Sequence, residues 1–173
     1  KTPGVDMTTG SLGQGTSLAV GMAVGDSIKG RPSRTYLIVG DGESNEGQVW
    51  EAAMFAAGKK VKNLFWLIDE NKKQLDGTTD SVLPLFDLRE KFEAFGFEAL
   101  RVDGNDVEAV YNALTAPVGD RPRAIVLDTV KGRGIPEVEQ MASNHSVTTD
   151  AETYDKWLAV LRAHLAELEE RRS

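Results

Sequence analysis

Cysteine is absent from the 173-residue sequence, which excludes disulfide bonds and thiolate metal sites. No apolar run reaches the roughly 18 residues that a membrane-spanning helix needs. The amino-terminal residues also lack the basic start and apolar block of a signal peptide. Basic residues are fewer than acidic ones, with 20 Lys and Arg against 27 Asp and Glu. A protein that binds nucleic acid needs a positive surface to contact the phosphate backbone. We therefore expect a cytoplasmic protein that contacts neither membrane nor nucleic acid.

The net charge of −7 also constrains the binding of small ligands. An acidic chain can hold a polyanion only with local help from helix N-termini, a few cations or a metal ion. The composition, 40% hydrophobic and 27% charged residues, is that of a globular protein, and the length is that of one domain. We predict a single domain over residues 1–173. Because the chain opens on Lys1 followed by Thr-Pro-Gly, we also expect that an upstream segment is missing.

Strand-like apolar runs alternate with helical patterns along the whole chain. This alternation predicts an α/β domain of the doubly wound type, in which a mainly parallel sheet is covered by helices on both faces. Ligands of such sheets bind at the carboxyl ends of the strands, so we expect a site after the first, second and fourth strands. The predicted strands are 35–39, 63–68, 97–102 and 124–130, and the predicted helices are 11–29 (a buried helix), 44–57, 87–95, 107–114 and 150–170.

Two polar segments follow the first two predicted strands. A Gly-Asp-Gly sequence at residues 40–42 ends the first strand, and Asn71 ends the second, about thirty residues later, which is the length of one strand–helix–strand unit. The glycines allow a sharp bend beside Asp41, and the helix expected to begin near Ser44 directs its N–H groups to the same place. Carboxylate and carboxamide oxygens suit Mg²⁺ or Ca²⁺. Although Gly-Asp-Gly alone is a common turn, its pairing with Asn71 predicts a metal site that bridges a diphosphate to an acidic protein.

These segments resemble the transketolase family of thiamine diphosphate enzymes. The stretch from Gly-Asp-Gly at 40–42 to Asn71 resembles the cofactor motif that begins with GDG and ends in Asn. The sequence TTGSLGQG at residues 8–15 resembles the family segment TTGPLGQG, with Ser in place of Pro at position 11. The resemblance implies the thiamine-diphosphate-binding fold, with thiamine diphosphate and Mg²⁺ or Ca²⁺ as cofactors. It covers most of residues 1–147 and continues, in family order, through residues 75–77, 131–134 and 144–146.

The resemblance implies metal and diphosphate roles for four residues. Asp41 would bind the metal through its carboxylate, and Asn71 through its side-chain oxygen. Lys73 would contribute its main-chain carbonyl to the same ion, while Gly42 would donate its backbone N–H to the diphosphate. These four positions form the expected cofactor anchor.

Five further residues match family positions around the rest of the cofactor and the substrate. Gly10 would meet the aminopyrimidine ring through its main-chain carbonyl, and Leu12 through apolar contact. His145 would lie near the diphosphate and the substrate, although by its local sequence alone it equally suits an ordinary surface histidine. Glu46 and Glu51 match an acidic pair that links paired active sites across a dimer interface. Solvated helix carboxylates are the alternative for these two, which we expect on one side of their helix.

The activity implied by the resemblance is ketol transfer, in which a two-carbon unit passes from a ketose or its phosphate to an aldose. The glutamate that activates the cofactor in this family belongs to a separate pyrimidine-binding domain, and no such domain is recognisable in the sequence. We therefore expect the chain to be inactive alone and to work in a dimer or heterotetramer. The missing half is either a pyrimidine-domain subunit or the rest of a longer enzyme. The charged end of the last predicted helix, residues 169–173, favours the first arrangement.

Two alternative functions remain open at the level of sequence. The α subunit of a 2-oxo acid dehydrogenase shares the GDG-to-Asn motif, although residues 8–15 and 131–134 argue against it. A non-catalytic module that binds a metal and a diphosphate is the alternative of another class. An assay with a ketose phosphate against pyruvate separates the first alternative, and calorimetry with thiamine diphosphate separates the second.

Overall fold

The computed structural model describes residues 2–170, and most of the predicted elements are found in it. Residues 1 and 171–173, including the charged end of the last predicted helix, lie outside the described residues. No helix within 2–170 is long and apolar enough to cross a membrane. The elements are α1 (Gln14–Ile28), β1 (Thr35–Gly40), a 3-10 turn (Gly42–Asn45), α2 (Gly47–Gly58), β2 (Leu64–Glu70), β3 (Lys73–Gln74), β4 (Gly77–Thr78), α3 (Thr79–Val82), α4 (Leu88–Phe95), β5 (Glu98–Asp103), α5 (Val107–Thr115), β6 (Arg123–Asp128), α6 (Pro136–Gln140) and α7 (Ala151–Glu170).

Four of the strands form one parallel sheet in the order β1-β2-β6-β5, with helices on both sides, which confirms the predicted fold class. In the register of the sheet, Gly40 at the end of β1 lies beside Asp69 of β2. Asp69 lies beside Leu127 of β6 on its other side. The polar segments that follow β1, β2 and β6 therefore emerge at one rim of the sheet, as the alternation of strands and helices predicts.

β2 is the strand around which the core is built. Six of its seven residues are buried, as expected for a central parallel strand with both faces covered. On one face, Trp66 contacts the rings of Phe92 and Phe97 at centroid distances of 5.4 and 5.9 Å. On the other face, the guanidinium of Arg123 lies 5.7 Å from the centre of the Phe65 ring. The apolar contacts of β2 thus fix the position of the turn that follows it.

The outer strand β1 is less well covered than β2. Leu37 and Val39 point into the core, whereas Tyr36 and Ile38 on the opposite face are 51% and 70% exposed. No strand within 2–170 pairs with the outer edge of β1. Within the described residues, β1, the strand that leads to Asp41, is therefore an edge strand with one unpaired side.

Two predicted helices differ from their sequence-based description. The helix predicted as buried over 11–29 packs only one side, because Leu18 and Met22 of α1 are exposed while Ala19 and Ala23 are buried. The helix expected to begin near Ser44 begins at Gly47, because Glu46 has an extended backbone with ψ 130° and separates it from the 3-10 turn. The N–H groups nearest Asp41 therefore belong to a short 3-10 turn and not to a long helix.

The loop segments contain short elements that hydrophobic periodicity does not predict. β3 and β4 form a two-stranded antiparallel hairpin just after β2, in a stretch for which the sequence predicts neither a strand nor a helix. α6 has five residues and lies between β6 and α7. Elements this short carry too few apolar positions to show a period.

Arg123 is the main buried charge of the sheet and stabilises the rim opposite the polar segments. Its side chain is 0% exposed. The guanidinium donates to the carbonyl oxygens of Ala113 and Ala116, both at 2.9 Å, and to that of Pro117 at 2.5 Å. It also pairs with the Glu98 carboxylate at 2.9 Å. Arg123 thus joins the end of α5 and the start of β5 to β6.

The substitution Arg123→Met is expected to lower the free energy of unfolding by about 3 kcal/mol, because it leaves three carbonyl groups and a carboxylate without their donor. Denaturant-induced unfolding followed by circular dichroism measures the change. Arg31→Met is the matched control, because that arginine forms an exposed ion pair with Asp26, and it should unfold like the parent protein. Equal stability of the two variants would contradict the structural role assigned to Arg123.

Candidate functional site

Asp41 occupies the turn between β1 and the 3-10 turn, and its side chain reaches the segment that follows β2. It is 1% exposed. One carboxylate oxygen accepts the backbone N–H of Gly42 at 2.7 Å, and the other accepts that of Lys72 at 2.5 Å. The parallel pairing of β1 with β2 places these two turns side by side. The structure therefore brings Asp41 to the residue that follows Asn71.

Burial raises the pKa of the Asp41 carboxyl above its ordinary value. The backbone N–H groups of Lys72 and Gly42 act in the opposite sense, while the negative charges of Asp69 and Glu70 raise the pKa further. Within residues 2–170, an ionised carboxylate in this position has no cationic partner close enough to offset its desolvation. A bound cation would favour the charged form, so the electrostatics of the turn suit a metal ion.

Asn71 has its carboxamide fixed by neighbours on both sides. Its oxygen accepts the backbone N–H of Lys73 at 3.1 Å, and its nitrogen donates to Asp69 at 3.1 Å. Thr129, at the end of β6, also donates to Asp69. Lys72 has a positive φ of 64°, which folds the backbone of Lys73 back toward Asn71. Asp41, Asn71 and Lys73 thus meet in one pair of adjoining turns.

The donor set at these turns consists of a carboxylate, a carboxamide and a main-chain carbonyl. Among residues 2–170 no group of three His, Cys, Asp or Glu side chains could hold a metal ion. A mixed oxygen set is compatible with Mg²⁺ or Ca²⁺, which accept carbonyl and amide oxygens and keep other positions for water or phosphate. The metal roles of Asp41, Asn71 and Lys73 remain predictions.

Gly42 lies where a side chain would fit only if the neighbouring Gln74 shifted. A Cβ atom at this position would be 3.0 Å from Cβ of Gln74 and 3.3 Å from its side-chain oxygen. The side-chain nitrogen of Gln74 is buried and has no hydrogen-bond acceptor within the described residues. Gln74 was not predicted as a site residue, since nothing in its local pattern reveals that the β3–β4 hairpin folds back over Gly42. A ligand could therefore approach the backbone of Gly42 closely, and the side-chain nitrogen of Gln74 beside it is available as a hydrogen-bond donor.

The glycine-rich segment 8–15 adjoins the same turn. The backbone N–H of Gly13 donates to the Glu43 carboxylate at 2.8 Å, and Gly13 has a positive φ of 83°. Gly10 and Leu12 are exposed, Leu12 at 56%. The predicted aminopyrimidine-binding residues therefore lie on an open surface next to the 3-10 turn. Glu43 is a further residue that sequence reasoning missed, because its contact spans thirty positions.

His145 lies on a segment that begins after β6, and its side chain is exposed. Within the described chain it forms no hydrogen bond or ion pair, so no such bond joins it to Asp41 or Asn71. The residue before it, Asn144, is buried and donates to the carbonyls of Lys131 at 3.1 Å and Val138 at 2.8 Å. The backbone at His145 is therefore fixed while its ring stays open to a ligand.

Glu46 and Glu51 are both exposed, but they do not share one side of a helix. Glu46 is the N-cap residue of α2, with an extended backbone, and Glu51 lies one turn inside. The prediction that both lie on one side of a helix is wrong, because Glu46 precedes α2 and only Glu51 belongs to it. Glu46 lies beside Gly13, whose Cβ would come 3.1 Å from that of the glutamate.

A cavity of about 610 Å³ opens at the carboxyl ends of β2, β6 and β5, beside Asn71. Several of its cationic groups already have anionic partners: Lys72 pairs with Asp128 at 2.7 Å, and Arg101 pairs with Glu70. More basic than acidic side chains line the cavity, although the chain as a whole is acidic. Its charged lining residues are Lys72, Lys73, Arg101, Asp103, Asp128, Lys131, Arg133 and Glu139.

Comparison with known proteins agrees with this geometry. A family model described as the thiamine diphosphate-binding domain of transketolase matches residues 1–157. The chain is 42% identical over 171 residues to the 6-deoxy-6-sulfo-D-fructose transketolase subunit of Clostridium sp. (strain MSTE9), covering 98% of this chain and 60% of the relative. It is 33% identical over 169 residues to an apulose-4-phosphate transketolase subunit of Phocaeicola vulgatus, covering 96% of this chain and 60% of the relative. The chain thus spans 60% of the length of each of these relatives.

Solved structures lead to the same family. The transketolase of Leishmania mexicana is 27% identical and has a TM-score of 0.71, over 98% of this chain and 30% of that chain. These similarities favour a transketolase over the α subunit of a 2-oxo acid dehydrogenase. Since the family match covers all the segments that meet at the Asp41 turn, the chain belongs to the transketolase family, as a thiamine diphosphate-binding domain.

Proposed function

We propose that the chain binds the diphosphate of thiamine diphosphate through a divalent metal, as part of a transketolase that moves a two-carbon ketol unit from a ketose to an aldose. The observation that carries the proposal is the buried Asp41 carboxylate, which accepts a hydrogen bond from the turn containing Asn71. A buried carboxylate beside further carboxylates calls for a cation. A divalent ion held by this carboxylate would offset its charge and part of the charge of a diphosphate.

The residues proposed for the metal are Asp41, Asn71 and the main-chain carbonyl of Lys73. Their oxygens suit Mg²⁺ or Ca²⁺, with diphosphate oxygens and water completing the shell. Such a bridge also answers the charge problem of a chain with net charge −7, because Lys72 and Arg101 at the rim are already paired with carboxylates.

The organic part of the cofactor is proposed to lie over the adjoining backbone. Gly42 would donate its N–H to the diphosphate in place of the Asp41 carboxylate, which accepts it at 2.7 Å in the structure, and the close approach of Gln74 to Gly42 supports a tight fit there. Gly10 and Leu12 would contact the aminopyrimidine ring. Thiamine diphosphate supplies the electron sink for carbon–carbon bond cleavage. The protein's own contribution is to hold the cofactor, orient it and keep the metal in place.

Three exposed residues are proposed to act where the domain meets other groups. His145 would face the diphosphate and the substrate, which fits its open ring on an anchored backbone. Glu46 and Glu51 would belong to an interface between paired active sites. Because Glu51 lies on α2 and Glu46 precedes that helix, we expect the two glutamates to contact different elements of that interface.

Activity is proposed to require a pyrimidine-domain partner in a dimer or heterotetramer, working in the cytoplasm. Two relatives are named as transketolase subunits, one for 6-deoxy-6-sulfo-D-fructose and one for apulose-4-phosphate. Both names describe a ketose with a terminal anionic group. We propose the same substrate class here, with residues 1–173 forming one diphosphate-binding domain.

The substitution Asp41→Asn is expected to abolish metal-dependent cofactor binding. Loss of a metal ligand should cost more than the 10- to 100-fold in affinity that loss of an outer-shell partner costs. Calorimetry of thiamine diphosphate with Mg²⁺, in the presence of the pyrimidine-domain partner, measures the affinity. The amide nitrogen of an Asn cannot accept the backbone N–H that one of the two carboxylate oxygens accepts, so the circular dichroism of the variant must match that of the parent protein before the titration is interpreted.

Asp120→Asn serves as the control for this experiment, because Asp120 is exposed and pairs with Lys60. It should bind the cofactor like the parent protein. Unchanged affinity in the Asp41→Asn protein would refute the metal site. Tight binding by the parent protein without any ketol transfer would instead indicate a non-catalytic module.

The substitution Gly42→Ala is expected to weaken thiamine diphosphate binding about tenfold, or 1.4 kcal/mol, because the new Cβ would press against Gln74 and occupy space beside the N–H proposed for the diphosphate. The same calorimetric titration measures the loss. Gly119→Ala is the matched control, since a Cβ there meets no atom within 4 Å. Equal affinities for the two alanine variants would show that the diphosphate does not approach Gly42.

The isolated chain should show no ketol transfer, whereas the chain with its pyrimidine-domain partner should convert a ketose bearing a phosphate or sulfonate. The physical reason is that the activating glutamate and half of the cofactor contacts are expected from the pyrimidine domain. Product formation can be followed by NMR, with pyruvate as the alternative donor. Turnover by the chain alone, or a preference for pyruvate, would rule the proposal out.

A further inference from the structure

The side chain of Lys73 spans from the turn after β2 to the segment after β6. Its ammonium donates to the carbonyl oxygens of Glu139 at 3.2 Å and Met141 at 2.7 Å, 66 and 68 residues farther along the chain. Both carbonyls lie at the end of α6, where helix carbonyls have no partner within the helix. The ammonium therefore supplies hydrogen-bond donors to carbonyls that the helix itself leaves without one.

The segment that Lys73 contacts is a compact loop, residues 131–145. Asn144 ties its two ends together through the carbonyls of Lys131 and Val138. Gly132, at φ 83°, lets the chain pass so close to Val138 that a Cβ would come within 2.5 Å. These contacts tie the loop together internally, and His145 is its last residue.

Hydrogen bonds from Lys73 are the ones that join this loop to the turn formed by residues 71–74, within the part of the chain that the structure describes. The backbone of Lys73 is in turn hydrogen-bonded to the side chain of Asn71. Lys73 is therefore a direct connection between the Asn71 turn and the loop that carries His145. Lys72 differs, because its ammonium is exposed and forms an ion pair with Asp128.

We propose that Lys73 is a positioning residue, whose ammonium holds the 131–145 loop, and with it His145, at a fixed place relative to the Asn71 turn. The main-chain carbonyl of Lys73 would then bind the metal, while its side chain holds the 131–145 loop. The role of His145 toward a ligand rests on the proposed function, whereas the mechanical link rests only on the contacts of Lys73. Hydrogen bonds from a charged donor are stronger than neutral ones, which suits a link carried by one side chain.

Hydrogen exchange of the isolated domain tests the link. In a Lys73→Met protein, the α6 amides of Val138, Glu139 and Met141 should exchange at least tenfold faster, a change of about 1.4 kcal/mol in local opening. Amides of β2 and β6 should keep the rates of the parent protein. Lys73→Arg should restore protection to within about threefold, because a guanidinium keeps a charged donor.

Lys72→Met provides the matched control, with the same change at the neighbouring residue, and should leave the exchange of these three amides unchanged. Parent-like exchange of α6 in the Lys73→Met protein would overturn the proposal. So would equal acceleration in the Lys72→Met protein. Faster exchange throughout the sheet would indicate a general loss of stability, and failure of Lys73→Arg to restore protection would then overturn the specific link.

NMR of the histidine rings tests whether the link reaches His145. The chain contains two histidines, and His164 on α7 provides an internal reference. The His145 ring signals should shift or broaden in the Lys73→Met protein, with His164 unchanged. Accelerated exchange of α6 without any change at His145 would overturn the positioning role. Neither experiment uses thiamine diphosphate or measures activity. Both can therefore support or overturn the role of Lys73 even if the proposed function is wrong.

Discussion

The hydrogen bond from the backbone of Lys72 to the carboxylate of Asp41 is the interaction on which the site depends. It joins the turn after β1 to the turn after β2, and it exists because those strands are parallel neighbours in one sheet. The carboxylate gains two backbone donors but stays buried beside Asp69 and Glu70. The fold thus assembles an oxygen-rich turn that is neither neutral nor fully compensated. A divalent cation bound at this turn would correct that imbalance.

Much of the fold can be predicted from the sequence, because long elements carry a hydrophobic period. The apolar run of β2 and the Gly-Asp-Gly turn are local signals, and parallel pairing follows from the alternation of strands and helices. The start of α2 could not be predicted, because the extended backbone of Glu46 depends on the neighbouring segment. The buried face of α1 was overestimated, since its many small residues suit either a covered or an exposed surface. Composition alone does not say which.

The side-chain connections of the site are less accessible to sequence reasoning. The contacts of Gly13 with Glu43 and of Lys73 with Glu139 join residues far apart in the chain. Neither residue pair has a spacing that marks it. The motif residues can be predicted because the ends of parallel strands lie at one rim of the sheet. Gln74 cannot, because each strand of the hairpin that carries it has only two residues. Topology predicts where a site lies, and the fine structure of its loops decides which further residues take part.

The outer edge of β1, bare within the described part of the chain, has a consequence for handling the protein. Its backbone groups, flanked by exposed Tyr36 and Ile38, form a template on which another extended segment can add. Natural sheets protect such margins with charge, proline or a covering element, and the TYLIVG sequence of β1 has neither charge nor proline. Concentrated samples of the separate domain would therefore tend to associate edge to edge, and titrations are best made dilute, at a pH well above the isoelectric point of about 4.9.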